Sequence, residues 1–147
     1  MPSECTSYTT NDDPTRNIAY TISCGNCHCD TSLSPGWYRF LGSAGTRLST
    51  FPSNMYSCGV YYPGWFNGSL PTTVGASTSG NMCFSYGGNI CYTQPSANTI
   101  MVTNCGDYYV FFLTTLSSCG YRYCTTWIVF NNYRRLSFLV SITILFI

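Results

Sequence analysis

The stretch that decides the fold runs from Cys58 to Pro71 and reads Cys-Gly-Val-Tyr-Tyr-Pro-Gly-Trp-Phe-Asn-Gly-Ser-Leu-Pro. Pro63-Gly64 and Asn67-Gly68 predict turns, because proline presets φ and glycine tolerates positive φ. Trp65 and Phe66 lie between these signals, and a bare loop does not need such large apolar rings. We therefore interpret the segment as a compact aromatic turn that is anchored by a cysteine and turns one ring inward.

Two surface functions are predicted for the same segment. Asn67-Gly68-Ser69 is the one Asn-x-Ser/Thr sequence of the chain and predicts N-glycosylation of Asn67. Trp65, Tyr61 and Tyr62 are possible ligand contacts, because aromatic side chains offer large and rigid contact area.

The cysteine content places the chain among disulfide scaffolds of oxidising compartments. A chain of 147 residues is long enough for one domain, and ten cysteines can form up to five disulfides. At about 2–4 kcal/mol each, such bonds contribute on the order of 10–20 kcal/mol, as much as the stability of an ordinary domain. All ten are predicted to be disulfide-bonded: Cys5, Cys24, Cys27, Cys29, Cys58, Cys83, Cys91, Cys105, Cys119 and Cys124.

The spacing of turn residues predicts a small, disulfide-rich, mostly antiparallel β fold with little or no helix. Glycine, proline and asparagine recur every eight to twelve residues or so, and helical periodicity is missing. We expect residues 72–81 to form a loop and residues 108–113 to form a central strand covered on both faces. The remaining predicted strands span residues 17–22, 37–41, 46–51, 82–86, 90–92 and 99–104.

In the strand at residues 37–41, Tyr38 and Phe40 share one face, and Trp37, Arg39 and Leu41 share the other. Arg39 is therefore predicted to make a cation–π contact with neighbouring rings.

Composition divides the chain into an N-terminal remnant (1–4), a cysteine-rich extracellular domain (5–124) and a hydrophobic tail (125–147). A signal peptide is not visible, so we expect the N-terminus to be incomplete. The apolar run 136–147 is too short to span about 30 Å of hydrocarbon. We interpret it first as a gene-model tail, second as a remnant membrane attachment and third as an anchor signal.

Charge and titratable groups favour a protein that is neither an enzyme nor a nucleic-acid binder. Charged residues make up 7 % of the chain and the net charge is +1, which gives no basic patch. The chain has one histidine and five carboxylates and shows no catalytic motif. Asp30 and Asp107 could form an acid–base pair only if folding joins them, and turn capping is the simpler interpretation. No cofactor is predicted.

The densest cysteine cluster allows two metal hypotheses. Cys24, Cys27 and His28 match the spelling of c-type haem attachment, but haem needs a helical pocket. Cys24, Cys27, His28 and Cys29 are also possible zinc ligands, although a structural site usually pairs two such knuckles. Disulfide bonding of these cysteines remains the preferred interpretation.

Five blocks of sequence form a distinctive set: Cys29-Asp30, Gly36-Trp-Tyr-Arg-Phe40, Pro63-Gly-Trp-Phe-Asn-Gly-Ser-Leu-Pro71, Asn104-Cys-Gly-Asp-Tyr-Tyr-Val-Phe-Phe-Leu113 and Cys119-Gly-Tyr-Arg-Tyr-Cys124. Together they resemble the eight-cysteine domain of the family of uromodulin, zymogen-granule glycoprotein 2 and oncoprotein-induced transcript 3. The resemblance extends over about four-fifths of the chain, from Cys5 to Cys124.

The resemblance implies a secreted or cell-surface glycoprotein module, whose glycans can be ligands for bacterial adhesins. Eight cysteines match the family, and Cys24 and Cys27 are then an extra pair that we expect to bond to each other or to rearrange locally.

The function predicted is that of a non-enzymatic extracellular module in adhesion, matrix assembly or glycan-mediated interaction, with an unknown extracellular protein or glycan as partner. The alternatives are a carbohydrate-binding module that uses exposed aromatic residues and, less favoured, a zinc protein.

Overall fold

The computed structural model describes residues 1–24 and 28–127 and contains a mostly antiparallel β fold. This confirms the predicted fold class. Among the described residues, the helical elements are 3₁₀ turns of three residues each: Ser3–Cys5, Pro14–Arg16, Gly42–Ala44 and Pro95–Ala97. The strands are β1 (Thr9–Asn11), β2 (Gly36–Phe40), β3 (Arg47–Leu48), β4 (Tyr62–Asn67), β5 (Ser77–Tyr86), β6 (Asn89–Tyr92), β7 (Ile100–Asn104), β8 (Tyr109–Leu113), β9 (Tyr121–Tyr123) and β10 (Thr125–Thr126).

Eight strands form one sheet in the order β1-β2-β8-β7-β5-β4-β9, and β6 pairs with β5 beside β7. The pairs β1–β2 and β4–β9 are parallel, whereas β2–β8, β8–β7, β7–β5, β5–β4 and β5–β6 are antiparallel. Strands β3 and β10 form a separate two-stranded ladder. The longest strand, β5, therefore contacts three other strands and organises the sheet.

The predicted alternation in β2 is confirmed. Tyr38 and Phe40 are buried, while Trp37 and Arg39 lie on the partly exposed face. The Arg39 guanidinium lies 3.7 Å from the ring centroid of Tyr108 and 5.8 Å from that of Tyr8. The predicted cation–π contact is therefore present, but the rings come from distant segments and not from the same strand.

Strand β8 has the predicted central position between β2 and β7. Val110 and Phe111 are adjacent and fully buried, so both faces of the strand are covered. The main core is formed by side chains from most strands: Tyr38, Phe40, Leu48, Phe66, Met82, Phe84, Ala97, Ile100, Val102, Phe111, Leu113, Leu116, Tyr121 and Tyr123.

The compact turn predicted at Pro63-Gly64 is wrong, because both residues lie within the six-residue strand β4. Gly64 pairs with Phe84 of β5 and with Tyr123 of β9. Burial between two strands overrides the local turn preference, and the missing side chain of Gly64 allows the neighbouring backbone to approach. The expectation that one ring points inward is confirmed, since Phe66 is fully buried and Trp65 is half-buried.

The loop predicted at residues 72–81 is also partly wrong, because β5 begins at Ser77. Residues 77–80 pair with β7, and the Ser77 and Thr103 hydroxyls lie 2.7 Å apart. The side chains on this half of β5 are polar, so hydrophobicity alone does not predict a strand there. Two other predicted strands are shorter than expected. Residues 17–22 form only isolated bridges, and residues 46–51 contribute only the two-residue strand β3.

Both terminal segments of the described chain contact the domain. The Thr103 hydroxyl donates to the Glu4 carboxylate at 2.8 Å, and Thr125–Thr126 pairs with Arg47–Leu48. The ordered ladder therefore continues two residues beyond Cys124. No helix long and apolar enough to cross a membrane is found among the described residues. The apolar run 136–147 lies outside them.

Candidate functional site

Six tyrosines from four strands and a loop meet at one end of the sheet. Tyr62 is on β4, Tyr86 on β5, Tyr92 on β6 and Tyr121 on β9, while Tyr56 and Tyr61 come from the segment before β4. We call Tyr56, Tyr61, Tyr62, Tyr86, Tyr92 and Tyr121 the tyrosine cluster. The parallel pairing of Tyr62 with Tyr121 and the β5–β6 hairpin bring these side chains together.

The rings of the tyrosine cluster form a continuous chain of contacts. Tyr62 lies 4.4 Å from Tyr86 and 5.0 Å from Tyr121, measured between ring centroids. Tyr92 lies 5.4 Å from Tyr86 and 5.9 Å from Tyr121. Tyr61 continues the chain, with its ring centroid 5.8 Å from Tyr62 and 5.5 Å from Tyr56. Such aromatic pairs contribute about 0.5–1.5 kcal/mol each beyond the area they bury.

The tyrosine cluster is buried on one side and open on the other. Tyr121 is 8 % exposed and packs on the core, whereas Tyr61, Tyr86 and Tyr92 are 38, 44 and 42 % exposed. Burial is the main cause that raises the pKa of Tyr62 and of Tyr121 above the ordinary value. The neighbouring phenol of Tyr86 raises the pKa of Tyr62 further, and that of Tyr92 raises the pKa of Tyr121 further. At neutral pH these two phenols are therefore uncharged and can donate or accept hydrogen bonds.

The loop that presents Tyr56 and Tyr61 has an unusual backbone. Tyr56 and Cys58 have φ angles of 68° and 48°, in the left-handed region that residues other than glycine rarely adopt. The Tyr56 amide donates to the Val60 carbonyl at 2.9 Å, and Cys58 is bonded to Cys124. The disulfide and this hydrogen bond hold the loop against the sheet.

A cavity of about 360 Å³ adjoins the tyrosine cluster at Tyr86. It lies between the loop 52–55 and the β5–β6 hairpin, whose turn residues Gly87 and Gly88 both have positive φ. The residues that line it are uncharged: Pro52, Ser53, Asn54, Met55, Ser85, Tyr86, Gly87, Gly88, Asn89 and Ile90.

The three aromatic residues predicted as ligand contacts fall into two groups. Tyr61 and Tyr62 belong to the tyrosine cluster. Trp65 pairs with Cys83 across β4 and β5, and its indole N–H donates to the Ile90 carbonyl at 2.8 Å. Trp65 therefore fixes β6, which carries Ile90 and Tyr92. Tyr86, Tyr92 and Tyr121 were not singled out from the sequence, because only the pairing of β5, β6 and β9 brings them beside Tyr62.

Asn67 lies at the other end of β4, five residues from Tyr62. At about 3.3 Å per residue, the two positions are roughly 16 Å apart. The Asn67 side chain is exposed, as are Gly68 and Ser69. The sequon is therefore accessible, and a glycan there would start away from the tyrosine cluster.

Four disulfides occur among the described residues: Cys5–Cys105, Cys29–Cys119, Cys58–Cys124 and Cys83–Cys91. Cys24 is disulfide-bonded as well, and its predicted partner Cys27 lies outside the described residues. A disulfide sulfur is not the thiolate that zinc requires, so Cys24 and Cys29 are unavailable as ligands. The ring of His28 packs edge-on against Tyr20 at 5.8 Å.

A buried ion cluster, missed by sequence reasoning, joins Arg16, Asp30 and Arg122 with the backbone of β9. Asp30 accepts two hydrogen bonds from Arg16 and one from the Tyr123 amide. The Arg122 Nη2 lies 2.7 Å from an Asp13 carboxylate oxygen. Asp30 is thus fully engaged, whereas Asp107 is exposed and has no salt bridge among the described residues. These contacts give Asp30 a structural role, since it links Arg16 to strand β9.

Burial lowers the pKa of Arg122, and the nearby positive charge of Arg16 lowers it further. The hydrogen bonds from Arg122 to Asp13 and to the carbonyls of Thr15 and Cys58 offset this cost. The two arginines therefore tie the N-terminal segment to both the β9 backbone and the loop at Cys58.

These features define a disulfide-stabilised β module with an exposed aromatic surface. The family model for the uromodulin-like domain of eight cysteines matches residues 38–125, which is more than half of the chain. The chain belongs to this family, as the resemblance from the sequence predicted.

The relatives are glycoproteins of greater length. "Pancreatic secretory granule membrane major glycoprotein GP2" of Homo sapiens is 34 % identical over 122 residues, which cover 82 % of this chain and 22 % of the relative. The protein of the same name from Rattus norvegicus is 32 % identical over 125 residues, with the same coverage. "Uromodulin" of Mus musculus is 30 % identical over 122 residues, or 82 % of this chain and 18 % of the relative. The chain spans about a fifth of the length of these relatives, and it is a module of extracellular glycoprotein type.

Proposed function

We propose that this chain is a non-enzymatic module of the cell surface or extracellular space that acts in adhesion or matrix assembly. Its contact surface is the tyrosine cluster. The observation that carries the proposal is the exposure of Tyr61, Tyr86 and Tyr92, at 38, 44 and 42 %, on top of the buried ring of Tyr121. Tyrosine gives large amphipathic contact area at low entropic cost, and it is enriched among the residues that dominate binding energy.

The chemistry of the rest of the chain supports a binding role. The Asp30 carboxylate accepts hydrogen bonds from Arg16 and from the Tyr123 amide, and His28 packs on Tyr20. The family of extracellular glycoproteins supports the location and the N-glycosylation of Asn67. Carbohydrate binding is the second candidate function, and the uncharged cavity beside Tyr86 is the observation that favours it.

A binding assay on epithelial cell layers and on the matrix that they deposit tests the proposal. The secreted chain is expected to bind saturably, and the double variant Tyr61→Ala/Tyr86→Ala is expected to bind about tenfold more weakly, because truncating aromatic contacts often costs about 1–2 kcal/mol or more. Met101→Ala is the matched control, since Met101 is 44 % exposed on β7 and is not in the tyrosine cluster.

Circular dichroism of each variant shows that loss of binding is not loss of fold. Binding that is unsaturable, or that the double variant retains in full, would contradict the proposal.

A further inference from the structure

We infer that the cavity beside Tyr86 is a binding site for a neutral glycan, with room for one or two hexose or N-acetylhexosamine residues. This inference rests on the proposed function and assigns a ligand class to one edge of the proposed contact surface. The cavity volume of about 360 Å³ lies in the range of small-molecule sites.

The walls of the cavity select against charged ligands. None of its ten lining residues carries a charge, although the chain has six arginines and five carboxylates elsewhere. An anionic ligand would lose hydration in this cavity without gaining an ion pair. The ligand is therefore neutral, and its polar groups are hydroxyls and amides.

The lining includes polar side chains with unused hydrogen-bonding capacity. Among the described residues, the Ser85 Oγ is shielded from solvent and has no hydrogen-bond partner. The Asn89 side-chain oxygen accepts from the Cys91 amide at 3.0 Å, which leaves its NH₂ group available. A buried hydroxyl without a partner is a cost that a ligand hydroxyl can remove. Asn54 adds a second exposed amide from the loop 52–55.

Other lining residues are apolar. Ile90 and Met55 are 62 and 47 % exposed, and Tyr86 presents a ring whose other contacts are Tyr62 and Tyr92. A hexose has the matching character, because its C–H faces are apolar and its hydroxyls surround them. The electron-rich face of an aromatic ring attracts such C–H groups.

The β5–β6 hairpin, which forms one side of the cavity, is held by a disulfide and a hydrogen bond. The Cys83–Cys91 disulfide joins β5 to β6, and the indole N–H of Trp65 holds the Ile90 carbonyl. The pairing of β5 with β6 is irregular between Phe84 and Tyr86, and such a bulge re-aims side chains. Preorganisation lowers the entropic cost of binding, which matters for flexible glycans.

The test uses the full secreted chain with the substitution Asn67→Gln, so that its own glycan cannot occupy the cavity. An array of neutral glycans, with sialylated and sulfated counterparts, is the probe. We expect binding to neutral glycans, at least tenfold weaker binding by Tyr86→Ala, and unchanged binding by Met101→Ala. Ser85→Ala is expected to bind several-fold more weakly while its melting temperature stays equal or rises, because the substitution removes an unpaired hydroxyl.

The possible outcomes are distinct. An array without hits, stronger binding to the charged glycans, or full binding by Tyr86→Ala overturns the inference. The inference is also overturned if proline-rich peptides displace the bound glycan and free sugars do not. The cavity would then be a peptide-binding site. If the chain still binds cells in a tyrosine-dependent manner while the array is empty, the proposed function stands and the glycan site falls. If both assays are negative, both fall.

Discussion

Arg16 and Asp30 form a bidentate ion pair inside the protein. The Nη1–Oδ2 and Nη2–Oδ1 distances are 3.0 and 2.5 Å, and the side chains are 7 and 1 % exposed. Arg16 Nη1 also donates to the Tyr123 carbonyl, and the Tyr123 amide donates to Asp30. The pair therefore joins the N-terminal segment, the residue after Cys29 and strand β9 at a single point.

Asp30→Asn is expected to destabilise the protein by about 3–5 kcal/mol, because it leaves the Arg16 guanidinium buried without its anion. Asp107→Asn makes the same chemical change at an exposed site, and it should alter the free energy of unfolding by no more than about 0.5 kcal/mol. Urea unfolding with disulfides intact measures both. Equal stability of the two variants would show that the buried pair contributes nothing beyond an exposed carboxylate.

Much of the fold could be predicted from sequence because its strands have strong local signals. The alternation of Tyr38 and Phe40 with Trp37 and Arg39 specifies β2, and the apolar run before Leu113 specifies β8. Gly87-Gly88 marks the β5–β6 hairpin, because both glycines adopt positive φ.

The parts that could not be predicted depend on distant partners. Pro63-Gly64 has the local signal of a turn and becomes a strand only because β5 and β9 flank it. In the same way, Tyr86 and Tyr121 are 35 positions apart in sequence, and each contacts Tyr62 only through the sheet order. Arg16 and Asp30 give no sequence pattern at all, since their partner is a backbone group of β9.

Gly64→Ala is expected to destabilise the protein by about 1–3 kcal/mol through overpacking. A Cβ at this position would lie 2.5 Å from the Arg122 carbonyl oxygen and 2.7 Å from a ring carbon of Phe84. Gly36→Ala is the matched control, because a Cβ there has no heavy atom within 4 Å. Thermal unfolding of the two variants measures the difference, and a Gly64→Ala protein as stable as Gly36→Ala would rule out the close approach of β9.

Loss of a disulfide is expected to cost more when the bond closes a longer loop. Cys58–Cys124 spans a sequence separation of 66 residues, and Cys83–Cys91 spans 8. The loop-entropy relation gives about 4 kcal/mol for the first and about 2.5 kcal/mol for the second. Paired alanine variants at each bond, unfolded in urea, make the comparison.

Full reduction is expected to unfold the chain, and near-ultraviolet circular dichroism that survives excess reductant would refute this.

Asn67 is expected to carry an N-linked glycan when the chain is secreted from mammalian cells. The sequon is exposed at the end of β4, so the Asn67 side chain is accessible for modification. Intact mass before and after treatment with a glycosidase specific for N-glycans shows the modification. Asn67→Gln and Ser69→Ala should each remove it, because each breaks the acceptor sequence. A secreted chain whose mass the enzyme does not change would exclude the modification in that host.

Stability is expected to fall at alkaline pH because folding raises the pKa of several tyrosines. Burial is the main cause for Tyr62, Tyr121 and Tyr123, and the neighbouring phenols of the tyrosine cluster add to it for the first two. A tyrosine in the unfolded chain loses its proton near pH 10. The unfolded state therefore releases protons before the folded state does, so the stabilisation is complete below about pH 10 and is lost as the pH rises through the folded-state values. Phenolate absorbance during a rapid pH titration, with urea unfolding at each pH, measures both effects. Tyr121→Phe should flatten this dependence, and a variant that loses stability as steeply as the unmodified chain would show that Tyr121 does not contribute.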